Sequence, residues 1–283
     1  MGDIFWSKRF FCASSRVGYN WVQWLAVVTA LLPGILFAGG LADTVAKIKP
    51  SIVGIGSYQA DRAPQSHLMG TGFVIADGYH VVTNAHVVDA LPVAQDNEKL
   101  VVFVGAGPRP EVRSARILIR DEEHDLVILR LKGAKLPPLP LGNSDAVREG
   151  EQYAFTGFPI GAVLGLYPVT HGGIIASISP NVIPLSASGQ LNASLIKKLK
   201  NPYRIFQLDA TAYPGNSGSP LYRTDTGDVV GIINKVFVKQ SKESVLEKPS
   251  GITYAIPAKY LETLLKQLTA PPVVLQSSGQ GGE

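Results

Sequence analysis

The stretch Thr71-Gly72-Phe73-Val74-Ile75-Ala76-Asp77-Gly78-Tyr79-His80-Val81-Val82-Thr83-Asn84 holds two runs rich in β-branched residues, joined by a short turn at Asp77-Gly78-Tyr79. Such residues suit a pleated, partly buried surface, and an Asp-Gly pair between two such runs has the composition of a hairpin. The pattern repeats outward. Ser51–Ser57 precedes it, and Leu100–Val104, Arg113–Ile119 and Asp125–Leu131 follow, which makes a set of about six strands. A polar, proline-containing segment, Gly133–Pro140, separates this set from a second: Gln152–Gly157, Pro168–Ile178, Arg204–Asp209, Pro220–Arg223, Val229–Val238 and Ile252–Ile256. The architecture expected is all-β, with two six-stranded antiparallel barrels over about residues 51–132 and 150–257. No internal sequence repeat accompanies the two sets.

Helices are few. Asp43 is placed to cap a short helix with Val45 and Ile48 on one face, stopped by Pro50. After Pro257, Leu261, Leu264, Leu265 and Leu268 have the i, i+3, i+4, i+7 spacing of a short amphipathic C-terminal helix. Long loops are expected at Gln59–Met69, Asn181–Tyr203 and Lys239–Ser250; within the second, Leu191–Lys200 reads as a solvated insertion or a short basic helix. Residues 269–283 have the composition of a disordered tail.

Composition narrows the function. Of 283 residues, 46% are hydrophobic and 17% charged, enough to bury a large core. The net charge is +4, of which Lys8, Arg9 and Arg16 against Asp3 supply +2 in the first 42 residues, so no basic stripe remains for nucleic acid. The single cysteine, Cys12, also lies there, and the rest of the chain can form no disulfide. His67, His80, His86, His124 and His171 show no HExxH spacing and no cysteine cluster accompanies them, so no metal and no cofactor is expected.

Residues 1–42 have the order of an export leader: three cations, then an apolar run from Trp21 to Ala42. Gly40 and Ala42 are small residues suited to cleavage before Asp43. The alternative is an uncleaved membrane tether through residues 21–42, with Trp6, Trp21 and Trp24 at the interface. Both readings export the domain spanning 43–268.

Pro214-Gly215-Asn216-Ser217-Gly218-Ser219-Pro220 sets a serine among residues that permit a tight turn. A weak alcohol nucleophile needs such exposure, together with amide N–H groups aimed at the developing oxyanion; those of Gly215 and Ser217 are the candidates. Thr83-Asn84-Ala85-His86 places a histidine directly after a strand, where a general base is held rigidly. His124-Asp125-Leu126-Val127-Ile128-Leu129 opens an apolar strand with an acid able to accept the His86 Nδ1–H. His124 itself reads as a surface neighbour. The order His, Asp, Ser along the chain differs from the Ser, acid, His order of α/β-hydrolases, and Ser219 breaks their G-x-S-x-G elbow. An esterase on that fold is thereby disfavoured.

These blocks, in this order, resemble the HtrA-like (high-temperature-requirement) trypsin-type serine proteases. Gly70–Ile75, Thr83–Val88, His124–Leu131, Gly157-Phe158-Pro159, Val169–Ile174, Gln207–Ala210, Pro214–Leu221 and Gly251–Pro257 all take part, so the resemblance covers nearly all of 43–268. It implies a chymotrypsin-like double barrel with His86, Asp125 and Ser217 as a triad between the barrels, and polypeptide substrates. In that fold the residue six before the nucleophile often floors the S1 pocket; a gapless count gives Thr211, flanked by Ala210 and Ala212, with no acid there. Small or medium uncharged P1 side chains are then expected, because a buried P1 cation would stay unpaired. Asp209 reads as structural. Two features depart from the family: Ser219 stands where a glycine is often found, and no room is seen for a PDZ domain after the protease domain.

The expected function is serine-type endopeptidase action on exported unfolded or damaged protein. The alternative is a catalytically idle binding or chaperone module on the same fold, with oligomeric state left open. The leader yields a first prediction. Cleavage between Ala42 and Asp43 removes all three tryptophans and Cys12, so the mature protein should lack tryptophan emission and resist thiol reagents when denatured. Amino-terminal sequencing of protein from its native compartment checks this; an intact leader on the exported protein contradicts cleavage and supports the tether.

Overall fold

The computed structural model describes residues 40–90, 97–159, 165–181, 202–234 and 251–269. Twelve strands fall in two sets: β1 (Ile52–Tyr58), β2 (Ser66–Ile75), β3 (His80–Asn84), β4 (Lys99–Val104), β5 (Glu111–Asp121) and β6 (Leu126–Leu131), then β7 (Gln152–Gly157), β8 (Val169–Pro180), β9 (Arg204–Asp209), β10 (Pro220–Arg223), β11 (Val229–Asn234) and β12 (Ile252–Pro257). Each set closes into an antiparallel barrel, in the orders β1-β2-β3-β6-β5-β4 and β7-β8-β9-β12-β11-β10. The two barrels therefore share one winding without a visible sequence repeat.

Residue alternation explains why the strands read as unbroken apolar runs. Val53, Val74, Val81, Val127 and Leu129 point into the first barrel. Tyr153, Phe155, Leu221, Val230 and Ile233 fill the second. Their chain neighbours Ile52, Phe73, Val82 and Ile128 from the first barrel and Ala154, Tyr222, Val229 and Ile232 from the second join a third cluster that includes both barrels. With both faces buried, the polar-out half of the usual alternation disappears.

Several expectations need correction. The first helix, α1 (Leu41–Ile48), starts before Asp43; Gly40 occupies the N-cap position and Asp43 lies in the first turn. Its buried face is Thr44 and Ile48 rather than Val45 and Ile48, with Thr44 Oγ1 donating to the Asp225 carbonyl at 3.3 Å. The expected loop Gln59–Met69 is shorter, because β2 begins at Ser66 and pairs with β1 past a bulge at Ile55/Gly56. Its polar start, Ser66 and His67, disguised the strand. β6 begins at Leu126, one residue after Asp125. The C-terminal helix, which becomes α3 once α2 (Ala85–Asp89) is counted, spans Ala258–Thr269 and buries Leu261 and Leu264 against the cluster shared by the barrels. The apolar run 21–39, most of the 181–203 loop, residues 235–250 and the tail 270–283 lie outside the described residues.

Phe73 is fully buried in the shared cluster. Phe73→Ala should lower unfolding free energy by about 3–5 kcal/mol, through lost transfer energy and a residual cavity. Urea denaturation measures it, and a cost of about 1 kcal/mol or less would mean that the cluster repacks freely.

Candidate active site

The site begins where β3 runs into α2. Asn84 sits at the N-cap position without capping through its own side chain. Asp125 takes over that task from the turn before β6: its carbonyl accepts the Ala85 N–H at 3.1 Å and the Asn84 Nδ2–H at 3.1 Å. Its carboxylate accepts the His86 peptide N–H at Oδ1, 2.8 Å, while Oδ2 lies 2.6 Å from His86 Nδ1. The pairing of Asn84 with Leu126 in the β3–β6 ladder delivers Asp125 to this place. Asp125 has φ 54°, a left-handed conformation that a non-glycine residue adopts at a cost of about 1–2 kcal/mol. Those four bonds hold it there.

A fifth bond crosses from the second barrel. Asn234 Nδ2 donates to Asp125 Oδ2 at 2.8 Å. With its carboxylate accepting from Asn234 and the His86 backbone, Asp125 requires a proton on His86 Nδ1, which leaves Nε2 as the acceptor. The side chains of His86 and Asp125 are 36% and 21% exposed, so the pair can be reached from solvent.

The serine expected as nucleophile is on the turn after Tyr213. Ser217 is 7% exposed. Its carbonyl accepts the Thr71 N–H of β2 at 2.9 Å. A Cβ added to Gly70 would meet Ser217 O at 3.1 Å and Val87, the neighbour of His86, at 2.7 Å. Gly70 thus lies beside both the carbonyl of Ser217 and the side chain that follows His86 in the chain. No hydrogen bond links Ser217 Oγ to His86 in this structure; such bonds often tighten only when substrate is bound.

Each peptide group of the turn has its own fate. Asn216 N–H donates to Tyr213 O at 3.0 Å, Gly218 N–H to Ile233 O at 2.9 Å and Ser219 N–H to Asn216 O at 3.0 Å. Gly215 and Gly218 take φ 98° and 87°, as two successive turns with glycine at their third position require. The N–H groups of Gly215 and Ser217 have no acceptor among the described residues. These are the two expected as oxyanion donors. Ser219, the departure from the family pattern, places its hydroxyl against Gly157 behind the turn and leaves both N–H groups free.

Of the expected S1 residues, Thr211 and Ala212 are half-buried, and Ala212 packs with Ala210 against the core of the second barrel. His171 adjoins this wall, stacked on Phe155 at 4.9 Å with Tyr213 at 6.1 Å, and burial pushes its pKa below the usual histidine value. His124 is not a surface neighbour. It is half-buried, stacks on Tyr260 of α3 at 4.0 Å, meets Tyr203 at 4.6 Å and contacts Asp121 Oδ2 at 2.6 Å through Nδ1. Burial in this cluster pushes the Tyr203 hydroxyl up to about 12. Among the described residues no three His, Cys, Asp or Glu side chains are arranged to hold a metal. Sequence reading missed Asn234 and Thr71. A polar residue closing the otherwise apolar Val229–Asn234 run was the available signal for the first.

The model of the trypsin-like peptidase domain matches residues 70–232. A probable periplasmic serine endoprotease DegP-like from Pseudomonas savastanoi pv. phaseolicola is 29% identical over 215 residues, covering 76% of this chain and 38% of its own length. Its namesake from Chlamydia trachomatis serovar D is 30% identical over 217 residues, with 76% and 37% covered. The chain thus spans about two fifths of the length of these relatives. Among solved structures, the HtrA-type protease AlgW with a tripeptide superposes with a TM-score of 0.58 at 25% identity, over 81% of this chain and 63% of the other. AlgW with a decapeptide gives 0.59 at 23% identity, over 81% and 67%, a likeness of fold.

The turn itself can be tested through its glycines. A Cβ on Gly218 would overlap Thr71 O and Thr83 Oγ1, whereas one on Gly150, also at positive φ, meets nothing within 4 Å. Gly150→Ala should therefore cost about 1 kcal/mol from conformation alone, and Gly218→Ala about 3 kcal/mol or more. Equal costs in chemical denaturation would contradict the close packing of the turn on β2.

Proposed function

The chain belongs to the trypsin-like peptidase family, and from that premise we propose that it is a serine endopeptidase using Ser217, His86 and Asp125. Ser217 Oγ attacks the peptide carbonyl while His86 Nε2 takes its proton. The same proton goes to the leaving amine, and a water activated by His86 then releases the acyl group from Ser217. Asp125 holds the imidazole in the required tautomer and balances its charge when protonated. The Gly215 and Ser217 N–H groups donate to the carbonyl oxygen and stabilise the negative charge that gathers on it.

One observation carries this reading. Of the five N–H groups from Gly215 to Ser219, three are consumed within the second barrel, and the two with no acceptor among the described residues belong to the serine itself and to the glycine two positions before it. A turn with a purely structural role gains nothing by leaving two donors unused.

Polypeptide substrates follow from the peptides bound by the AlgW structures and from the endoprotease names of the relatives. The periplasmic names of those relatives, with the cationic and apolar order of residues 1–42, support action outside the cytoplasm, by a domain spanning 43–268 that is either released or tethered through residues 21–42. Among the described residues, no helix is long and apolar enough to cross a membrane. Thr211 and Ala212 are assigned to the S1 pocket, whose lack of an acid at those positions favours small or medium uncharged P1 side chains.

The full chain should cleave unfolded casein, and peptide libraries should show Val, Ala, Leu or Thr before the scissile bond. Ser217→Ala should abolish cleavage with the fold intact, and Asp125→Asn should lower kcat by about 10⁴-fold by offering the wrong tautomer. Undiminished cleavage by Ser217→Ala would overturn the mechanism; strong selection of Arg at P1 would overturn the pocket assignment alone, and would bring in a carboxylate such as Asp209 or Glu243.

A further inference from the structure

We propose that Thr71, a residue of the first barrel, is a positioning residue for the oxyanion donors carried by the second. The inference rests on the serine-peptidase reading and deepens it by naming what holds the donors in place. Thr71 is fully buried, and all its polar groups are engaged. Its hydroxyl donates to Gly215 O at 2.7 Å and accepts the Phe158 N–H at 3.0 Å. Its peptide N–H donates to Ser217 O at 2.9 Å, and its carbonyl accepts from Thr83 Oγ1 at 2.7 Å.

The consequence follows from peptide planarity, which points the C=O and N–H of one peptide in opposite directions. The Gly215–Asn216 peptide is fixed at both ends, its carbonyl on Thr71 Oγ1 and its N–H on Tyr213 O. The Ser217–Gly218 peptide is fixed likewise, its carbonyl on the Thr71 N–H and its N–H on Ile233 O. Between them, the Asn216–Ser217 peptide is held by Ser219 N–H on its carbonyl, so the Ser217 N–H points away from that bond. The Pro214–Gly215 peptide differs. No bond to a described residue holds its carbonyl, and it is followed by a glycine, whose backbone rotates with least hindrance. Its N–H is the other donor. Two bonds on the next peptide restrain that rotation, Asn216 N–H to Tyr213 O within the turn and Thr71 Oγ1 to the Gly215 carbonyl, and only the second comes from outside the turn.

A buried hydroxyl joining two barrels also contributes to folding, so the test must separate aim from stability. Thr71→Val keeps the shape and removes the hydroxyl, Thr71→Ala removes both hydroxyl and methyl, and Thr71→Ser keeps the hydroxyl. Against a peptide substrate, a folded Val or Ala variant should lose about 10- to 100-fold in kcat with KM within about threefold, since a misaimed donor affects the oxyanion and not the bound ground state. Thr71→Ser should stay within about threefold of wild type in both parameters. A peptide aldehyde, which forms a tetrahedral adduct on Ser217, should lose affinity by the same factor as kcat/KM, while an uncleaved product peptide binds unchanged. Full kcat in a folded Val or Ala variant, an equal loss in Thr71→Ser, or unchanged aldehyde affinity would overturn the inference. So would failure of both Val and Ala to fold while Ser folds and turns over normally, since the hydroxyl would then serve folding. A wild-type protein that neither cleaves peptides nor is inhibited by the aldehyde would contradict the peptidase reading itself, and the inference with it. An active wild type beside an equally active Thr71→Val contradicts the inference alone.

Discussion

At the seam between the barrels, buried peptide groups have no water to turn to and must find partners across the joint. The apolar layer around Phe73, Ile128, Tyr222 and Ile232 excludes solvent from that seam. Thr71 on one side then meets the carbonyls of Gly215 and Ser217 on the other, and Asn234 reaches across to Asp125. The serine turn and the histidine–aspartate pair come from different barrels, and these bonds hold them in a common frame. In the proposed mechanism the same few polar contacts serve both stability and reactivity.

The pair of His86 and Asp125 follows the same economy. A short helix that lacks a cap from its own Asn84 borrows one from Asp125, so the carboxylate that orients the imidazole also satisfies the helix N-terminus. Placing that acid in a left-handed conformation costs energy that a glycine would not, but a glycine has no carboxylate. In the proposed mechanism that strain falls on the acid that orients the general base. Beside it, the stacking of His124 on Tyr260 anchors the turn carrying Asp125 to α3.

Much of this was legible in the sequence, for identifiable reasons. A strand such as β6 is apolar at all positions but Arg130 and is preceded by a turn, so neither its type nor its approximate limits were ambiguous. The glycine-rich turn around Ser217 declared itself because its conformation admits few other residues. What stayed hidden depended on contacts between residues distant in the chain. Ser66 and His67 extend β2 because β1 lies beside them, not because of their own preference. Asp43 has the composition of a cap, yet α1 starts earlier, where Thr44 and Ile48 can both be buried. Asn234 and His124 have roles set by partners 109 and 136 positions away, Asp125 and Tyr260, and no local pattern announces them.

The proposed chemistry requires Ser217 to be an activated nucleophile, and covalent labelling reads that property directly. The folded full chain, treated with a fluorophosphonate and digested, should carry one phosphonyl adduct, mapped by mass spectrometry to Ser217 and lost when the protein is denatured beforehand. A folded protein that takes no label, or takes it on Ser219 or another hydroxyl, would contradict the account.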